Sequence, residues 1–412
     1  MTNPHQTEAP GMTEAPDRPA FARWLGSTNA ITQQFLALSG NSGIIGLAGG
    51  LPPPEAFAVS EIAGMARVAV ERHGAAALGY GAIEGLGPLR DAIAARHSTP
   101  RVRLGRGNVL IISGSMQGLD LVGKALIDPG DAIVGHDPTY LGALDAWRPR
   151  EAVYRALCLG PDAPAAFPAF GGAKFIYAVP NYSNPTGVLV DAAMRERLLT
   201  AALAANTWLV EDDPYGALRY DGPRLPSLLE MSGDGGPYRG PVIYLGTLSK
   251  TVSPGLRVGW MIAAPEMIAA LTSAKQGSDL CTGGVQQAIA LEALEGGLIE
   301  RRLPALLDLY RARRDALCAA MAEHLAPWFE WRKPSGGMFV WARARDRGLD
   351  TDALLQRALA RGVSFSPSSV FDATGGMRDA LRLNFTYNPP EALREGVRRL
   401  ALAVADATGE KA

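Results

Sequence analysis

The sequence predicts an α/β protein with two parts. One is a large domain on a mostly parallel sheet with helices on both faces. The other is a small α+β domain. Three observations lead there. Short continuous apolar runs recur between residues 108 and 262, bounded by Gly and Pro, and strands of that kind belong to sheets buried on both sides. Amphipathic stretches with a helical period alternate with them. After Gly296 the alternation gives way to one long arginine-rich helix and a few isolated strand-like runs. The length of 412 residues agrees, being about 2.7 average domains.

Taken in order, residues 1–20 read as a disordered tail. They are polar, repeat Thr-Glu-Ala-Pro at Thr7 and Thr13, and lack the apolar centre of a signal peptide. Residues 21–59 form an N-terminal arm and part of the small domain: a weakly helical stretch, Phe21 to Leu38, stops at Ser-Gly-Asn-Ser-Gly. A short strand at Ile44 then runs into a Gly/Pro loop. The large domain spans 60–295. Helices are expected over 60–73 and 86–98, with Tyr80 exposed in the loop between them. Strands follow at Asn108–Ser113, Ala132–Val134, Phe175–Val179, Trp208–Val210, Val242–Leu245 and Val258–Ile262, with helices at Gly118–Leu126, Leu141–Trp147 and Ala192–Ala205. The small domain, 296–412, has a helix to about residue 324 whose arginines read as a solvated face. Strands at Phe329–Trp331, Met338–Trp341 and Ala380–Phe385 and a last helix from Pro390 complete it.

Composition narrows the function. Forty basic residues face 41 acidic ones, a net charge of −1, so no global field attracts nucleic acid or anionic membrane. No apolar run approaches the roughly 18 residues of a spanning helix. Three distant cysteines, Cys158, Cys281 and Cys318, are no disulfide framework and point to a reducing, cytoplasmic setting. Neither they nor the five scattered histidines have metal-ligand spacing, so no metal is expected.

Four segments at strand ends carry chemistry. After the Val242 strand come Thr247, Ser249, Lys250 and Arg257: two hydroxyls and a guanidinium suited to a dianion, beside a lysine able to condense with an aldehyde. After the Phe175 strand comes Asn181-Tyr182-Ser183-Asn184-Pro185-Thr186-Gly187, where open α/β sheets bind ligands. Glu211-Asp212-Asp213-Pro214-Tyr215 ends the next strand. Three adjacent carboxylates there need a reason, either a metal or a cationic ring. Ser113-Gly114-Ser115-Met116-Gln117-Gly118 joins a strand to a helix, and its small residues let backbone N–H groups meet an anion.

Along the chain they run Ser113–Gly118, Asn181–Gly187, Glu211–Tyr215 and Thr247–Arg257, and in that order they resemble fold-type I, pyridoxal-phosphate-dependent aminotransferases of class I/II. Leu47-Ala48-Gly49-Gly50-Leu51-Pro52, Glu211–Tyr215 and Arg382-Leu383-Asn384-Phe385 bring the chain nearest the 2-aminoadipate/kynurenine aminotransferase branch. The resemblance runs from about residue 21 to the C-terminus. It implies a seven-stranded sheet, pyridoxal phosphate as cofactor, and a homodimer with shared active sites. It implies that Lys250 carries the cofactor and later moves the substrate proton, that Asp212 pairs with the pyridine nitrogen, and that Asn184 and Tyr215 bond the phenolic oxygen. Tyr140 would stack on the ring. Ser115, Met116, Gln117, Thr247, Ser249 and Arg257 would form the phosphate site, and Tyr80 would reach the phosphate of the neighbouring subunit. Arg382 would hold the substrate α-carboxylate, a bidentate task, with Asn184, Gly50 and Thr32 also on the substrate side. Asp213 would be structural.

Relatives acting on acidic side chains carry Ile-Arg-Glu where this chain has Ile31-Thr32-Gln33. Thr32 cannot supply a positive charge for a distal carboxylate, so a neutral aliphatic or aromatic donor is favoured over an aminoadipate-type one, which stays open, with a 2-oxo acid such as 2-oxoglutarate as acceptor. A β-lyase, decarboxylase or racemase of the same fold is the alternative. A cofactor-binding transcriptional regulator is disfavoured, because such proteins carry a basic helix-turn-helix domain ahead of a core that here starts near Phe21.

Overall fold

A computed structural model of the chain describes residues 20–27 and 43–409. The tail, most of the Phe21–Leu38 stretch and Thr32 lie outside the described residues. Within the arm, Arg23–Ser27 forms one 3-10 turn.

The apolar runs become a seven-stranded sheet. Its strands are β2 (Val109–Ile112), β3 (Ala132–His136), β4 (Val153–Leu157), β5 (Ala173–Ala178), β6 (Trp208–Asp212), β7 (Val242–Thr247) and β8 (Gly259–Ile262), after a short β1 (Ile45–Gly46) elsewhere. The order is β2-β8-β7-β6-β5-β3-β4. Only β8 runs against the rest, pairing antiparallel with both β2 and β7. Alternate residues enter two separate cores. Leu110, Ile112, Val210, Ile243 and Leu245 face one side, and Val109, Ile111, Leu209, Val242 and Ile262 the other. Both faces are therefore covered, which is why the strands read as unbroken apolar runs.

The first core is shared with helices Ser115–Leu126 and Pro265–Gln276, the second with Gly87–His97, Ala192–Ala204 and Gly284–Glu295. Each fully buried Leu or Ile contributes about 1.5–3 kcal/mol. Val59–His73 lies where the sequence places its first helix.

A four-stranded antiparallel sheet, β12-β13-β10-β9, stands apart, built from β9 (Phe329–Trp331), β10 (Phe339–Ala344), β12 (Ser366–Pro367) and β13 (Ala380–Asn384). β1 pairs in parallel with β11 (Val363–Ser364), so the early segment is stitched onto the late one. Asn384 N–H to Leu47 O at 2.7 Å and Thr386 Oγ1 to Leu51 O at 3.1 Å continue the seam. No helix among the described residues is long and apolar enough to cross a membrane.

Three departures from the sequence reading have physical causes. β4 is an edge strand with Val153 and Arg155 exposed, so it carries no continuous apolar signal. Helix Gly284–Glu295 is buried on most sides, so it has no amphipathic stripe. The long helix, Leu298–His324, forms as expected, but its arginines are not all solvated. Arg313 and Arg314 are 3% and 2% exposed. Arg313 meets Glu55 and the Thr386 carbonyl, and Arg314 meets Asp221, Asp315 and the Pro334 carbonyl at 2.9 Å. Arg313 ties the early segment to the late one, and Arg314 ties the Asp221 loop of the large domain to the small domain.

Candidate active site

Parallel strands put their carboxyl ends on one edge of a sheet, and that edge collects the four segments. β2 delivers Ser113–Gly118, β5 Asn181–Gly187, β6 Asp212 and β7 Ser249–Lys250, while reversed β8 begins just after Arg257. β3 leads to Tyr140.

At the β2 end the chain turns at Gly114, with φ +85°, into helix Ser115–Leu126. That φ favours glycine, and a Cβ on Gly114 would come within 2.6 Å of the Arg257 guanidinium and push it aside. Arg257 Nη2 donates to the Ser113 carbonyl at 3.0 Å. Gly114 offers no side-chain cap, and the hydroxyl of Ser115 is buried without a partner. Thr247 Oγ1 and Ser249 Oγ lie 2.8 Å apart. These groups form a cup with a helix N-terminus at its base, favourable for an anion. Gln117 does not point its side chain into the cup: Oε1 accepts from Ser113 N–H at 2.8 Å. Met116 is exposed and takes the Tyr140 hydroxyl on its sulfur at 3.3 Å.

The three carboxylates of β6 have separate tasks. Glu211 accepts the Leu228 and Leu229 N–H groups at 2.9 Å each, and burial raises it to about 7. Asp213 takes Asn181 Nδ2 at 2.9 Å, Tyr244 Oη at 3.1 Å and Gly216 N–H at 2.8 Å. Asp212 is 2% exposed. One oxygen takes the Tyr177 hydroxyl at 2.9 Å, and the other has no partner. Burial raises this carboxyl to about 7; the Tyr177 bond opposes the rise and Asp213 adds to it.

Lys250 Nζ donates to the Gly50 carbonyl at 2.9 Å. The residue keeps some surface, but its ammonium is withdrawn from water. That desolvation, then the charges of Arg382 and Arg257, lowers it to about 8. Gly50 is fixed by space, since a Cβ would meet the Phe339 ring at 2.8 Å. Arg382, on β13, reaches across to Asn184 Oδ1, the Ala48 carbonyl and Ser366 Oγ, while its Nε has no partner. Its guanidinium lies over the rings of Phe339 and Phe371, at 4.2 and 4.7 Å. Tyr215 is buried beside Asn184, and burial raises its phenol. Tyr140 is raised to about 12, first by burial and then by Asp212.

The structure thus brings together Ser115, Met116, Tyr140, Asn184, Asp212, Tyr215, Thr247, Ser249, Lys250, Arg257, Arg382 and Gly50. Tyr80 is separate, 89% exposed on the loop after Ala75–Leu78. Sequence reasoning missed Tyr177, read only as a strand residue, and Arg195. The latter is fully buried and grips Pro180 O, Asn181 Oδ1 and Val190 O, bracing the loop that carries Asn184. A buried arginine and a strand tyrosine give no local signal.

Comparison with known proteins agrees with this geometry. Residues 45–400 match the family described as aminotransferase class I and II. The chain is 39% identical to aromatic-amino-acid aminotransferase 1 of Thermococcus litoralis over 391 residues, covering 92% of each. Among solved structures it resembles the alpha-aminoadipate aminotransferase of Thermus thermophilus complexed with N-(5'-phosphopyridoxyl)-L-leucine. The TM-score is 0.85 and the identity 35%, over 94% of this chain and 98% of that one. It also resembles the kynurenine aminotransferase of Pyrococcus horikoshii, with TM-score 0.87 and 35% identity over 95% and 98%. The chain belongs to the class I and II aminotransferases, pyridoxal-phosphate-dependent enzymes of fold type I that act on amino acids.

Proposed function

We propose that the cleft at the carboxyl edge of the large sheet holds pyridoxal phosphate. We further propose that the enzyme moves amino groups from neutral aliphatic or aromatic L-amino acids to a 2-oxo acid such as 2-oxoglutarate. The single observation that carries the site assignment is the unpartnered oxygen of buried Asp212. Such an acceptor is costly to leave unmatched, and a protonated pyridine nitrogen is the donor that matches it. At about 4 Å and an effective dielectric near 20, that ion pair is worth about 4 kcal/mol before desolvation. It would hold Asp212 ionised.

The other residues fit the same group. Ser115, the Met116 backbone, Thr247, Ser249 and Arg257 would hold the phosphate, and the unpartnered Ser115 hydroxyl supports this. Tyr140 would cover the ring, and Asn184 and Tyr215 would bond its phenolic oxygen. Bound pyridoxal phosphate supplies an electron-withdrawing ring that accepts the electron pair left when the substrate Cα–H bond breaks. Lys250 would anchor the cofactor and, once released, take the proton from Cα. A lysine lowered to about 8 is about one tenth neutral at pH 7, far more than an ordinary lysine, and a base needs that neutral form. Arg382 would orient the substrate. Its present acceptors are neutral, so a carboxylate displaces them with a stronger, charge-assisted pair.

Two cations reach Lys250 electrostatically, Arg382 and Arg257, and both already have anions to bind. With Thr32 where relatives carry arginine, no further cation is assigned to a distal carboxylate. This supports a neutral donor, as does the aromatic substrate named for the Thermococcus relative; the Thermus structure, named for aminoadipate and carrying a leucyl adduct, leaves an aminoadipate-type donor as the alternative. The exposed Tyr80, with Leu78 70% and Leu280 42% exposed, supports a second copy packing there and sharing the site. The free cysteines support a cytoplasmic setting. We assign residues 60–295 to a large domain and 296–412 to a small one, which the 21–59 segment joins through β1.

The test is an absorbance titration of the loaded enzyme with single amino acids, with products identified. Leucine and phenylalanine should convert the cofactor to its aminated form and yield keto acids. A strong preference for aminoadipate would refute the neutral donor, and release of ammonia and pyruvate would refute transamination.

A further inference from the structure

Behind the phosphate cup lies a buried ion pair that the reading above does not use. Lys275, in the last turn of helix Pro265–Gln276, is 0% exposed and pairs with Asp279 in the loop that follows. Lysine is almost never buried this fully unless paired. The other oxygen of Asp279 takes the Ser113 hydroxyl at 3.0 Å. The Ser113 N–H is taken by Gln117 Oε1 at 2.8 Å. The Ser113 carbonyl is held by Arg257. All three polar groups of Ser113 are thereby fixed. Ser113 directly precedes the Gly114 turn and the helix N-terminus of the cup. Lys124 Nζ, on that same helix, ties in Ser278 Oγ at 3.2 Å.

We propose that Asp279 is a positioning residue for the cofactor phosphate, and that Lys275 makes it tolerable there. The proposal rests on the cup assigned above. Asp279 touches no phosphate itself. It locks Ser113, and through Ser113 the Gly114 turn into helix Ser115–Leu126 and the anchor point of Arg257. Its negative charge opposes a bound dianion, and the Lys275 ammonium cancels it from the side away from solvent. Two consequences follow. Removing Asp279 loosens the cup. Removing Lys275 loosens it and also leaves an uncompensated carboxylate near the dianion, so the second change is worse, and combining the two restores part of the loss.

Apoprotein of the wild type, Asp279→Asn, Lys275→Met, the double variant, Ser113→Ala and Arg257→Gln is titrated with pyridoxal phosphate and with pyridoxal, which lacks the phosphate. Asp279→Asn should weaken pyridoxal phosphate about tenfold, the loss expected of one hydrogen bond to a charged group. Lys275→Met should weaken it more, the double variant less than Lys275→Met, and pyridoxal should change less than about twofold. Ser113→Ala, the mildest change, should show a several-fold loss for the phosphorylated cofactor alone, whether or not Lys275→Met folds. Unchanged pyridoxal phosphate affinity in Asp279→Asn and Ser113→Ala overturns the proposal. So does equal weakening of both cofactors, which marks general loosening. If Arg257→Gln binds normally, the cup itself is wrong and the proposal falls with it. If Arg257→Gln fails and Asp279→Asn does not, only the positioning role falls.

Discussion

The two walls of the cleft are finished differently. On the large-sheet side, Asp212 and Ser115 each keep a buried polar atom with no partner. On the small-sheet side, Arg382 has neutral acceptors on both terminal nitrogens and only Nε free. A buried acceptor with no donor, as on Asp212, suits a cationic occupant that stays. A donor held by exchangeable neutral acceptors suits one that arrives, reacts and leaves. On the proposed assignment, the large-sheet side is the cofactor wall and the small-sheet side the substrate wall.

Changing the cofactor wall should cost most. Asp212→Asn keeps the shape and removes the charge, and kcat should fall about 10²–10³-fold, as for loss of one preorganised electrostatic group. The cofactor should still load. Full activity in this variant would erase the distinction between the walls. On the substrate side, Arg382→Lys should lower kcat/KM about 10–100-fold, the loss of one bidentate charged pair, with little change in cofactor affinity. Loss of cofactor instead would put Arg382 on the wrong wall.

The smallest effect concerns the boundary between them. The Lys250 ammonium is disfavoured by burial and by two positive neighbours, so its pKa is lowered to about 8. Only the neutral amine condenses with the cofactor aldehyde. The rate of loading apoprotein should therefore rise about fivefold from pH 7 to 8 and level off above about pH 9. Arg382→Met removes one of the positive neighbours, so the curve should move to higher pH. A shift to lower pH would contradict the electrostatic account.

Much of the cofactor wall could be read from the sequence because it is local. Each group lies within a few residues of the end of an apolar strand, and parallel strands place those ends on one edge. What surrounds Arg382 was not readable. Its partners Ala48 and Ser366 come from two different segments, joined only when β1 pairs with β11. The same holds for Lys275, Arg195, Arg313 and Arg314. A basic residue in a helix reads as solvated, and only the folded chain shows that a carboxylate or carbonyl waits inside. Edge strand β4 escaped because exposure removes the apolar run that marks a central strand.

The account turns on Lys250 as the residue that carries the cofactor. The direct measurement is reduction of the loaded enzyme with borohydride, followed by peptide mapping of the pyridoxyl group. The account predicts one modified position, Lys250, and no reducible adduct in Lys250→Ala. A pyridoxyl group on another lysine, or an adduct that survives in Lys250→Ala, would contradict it.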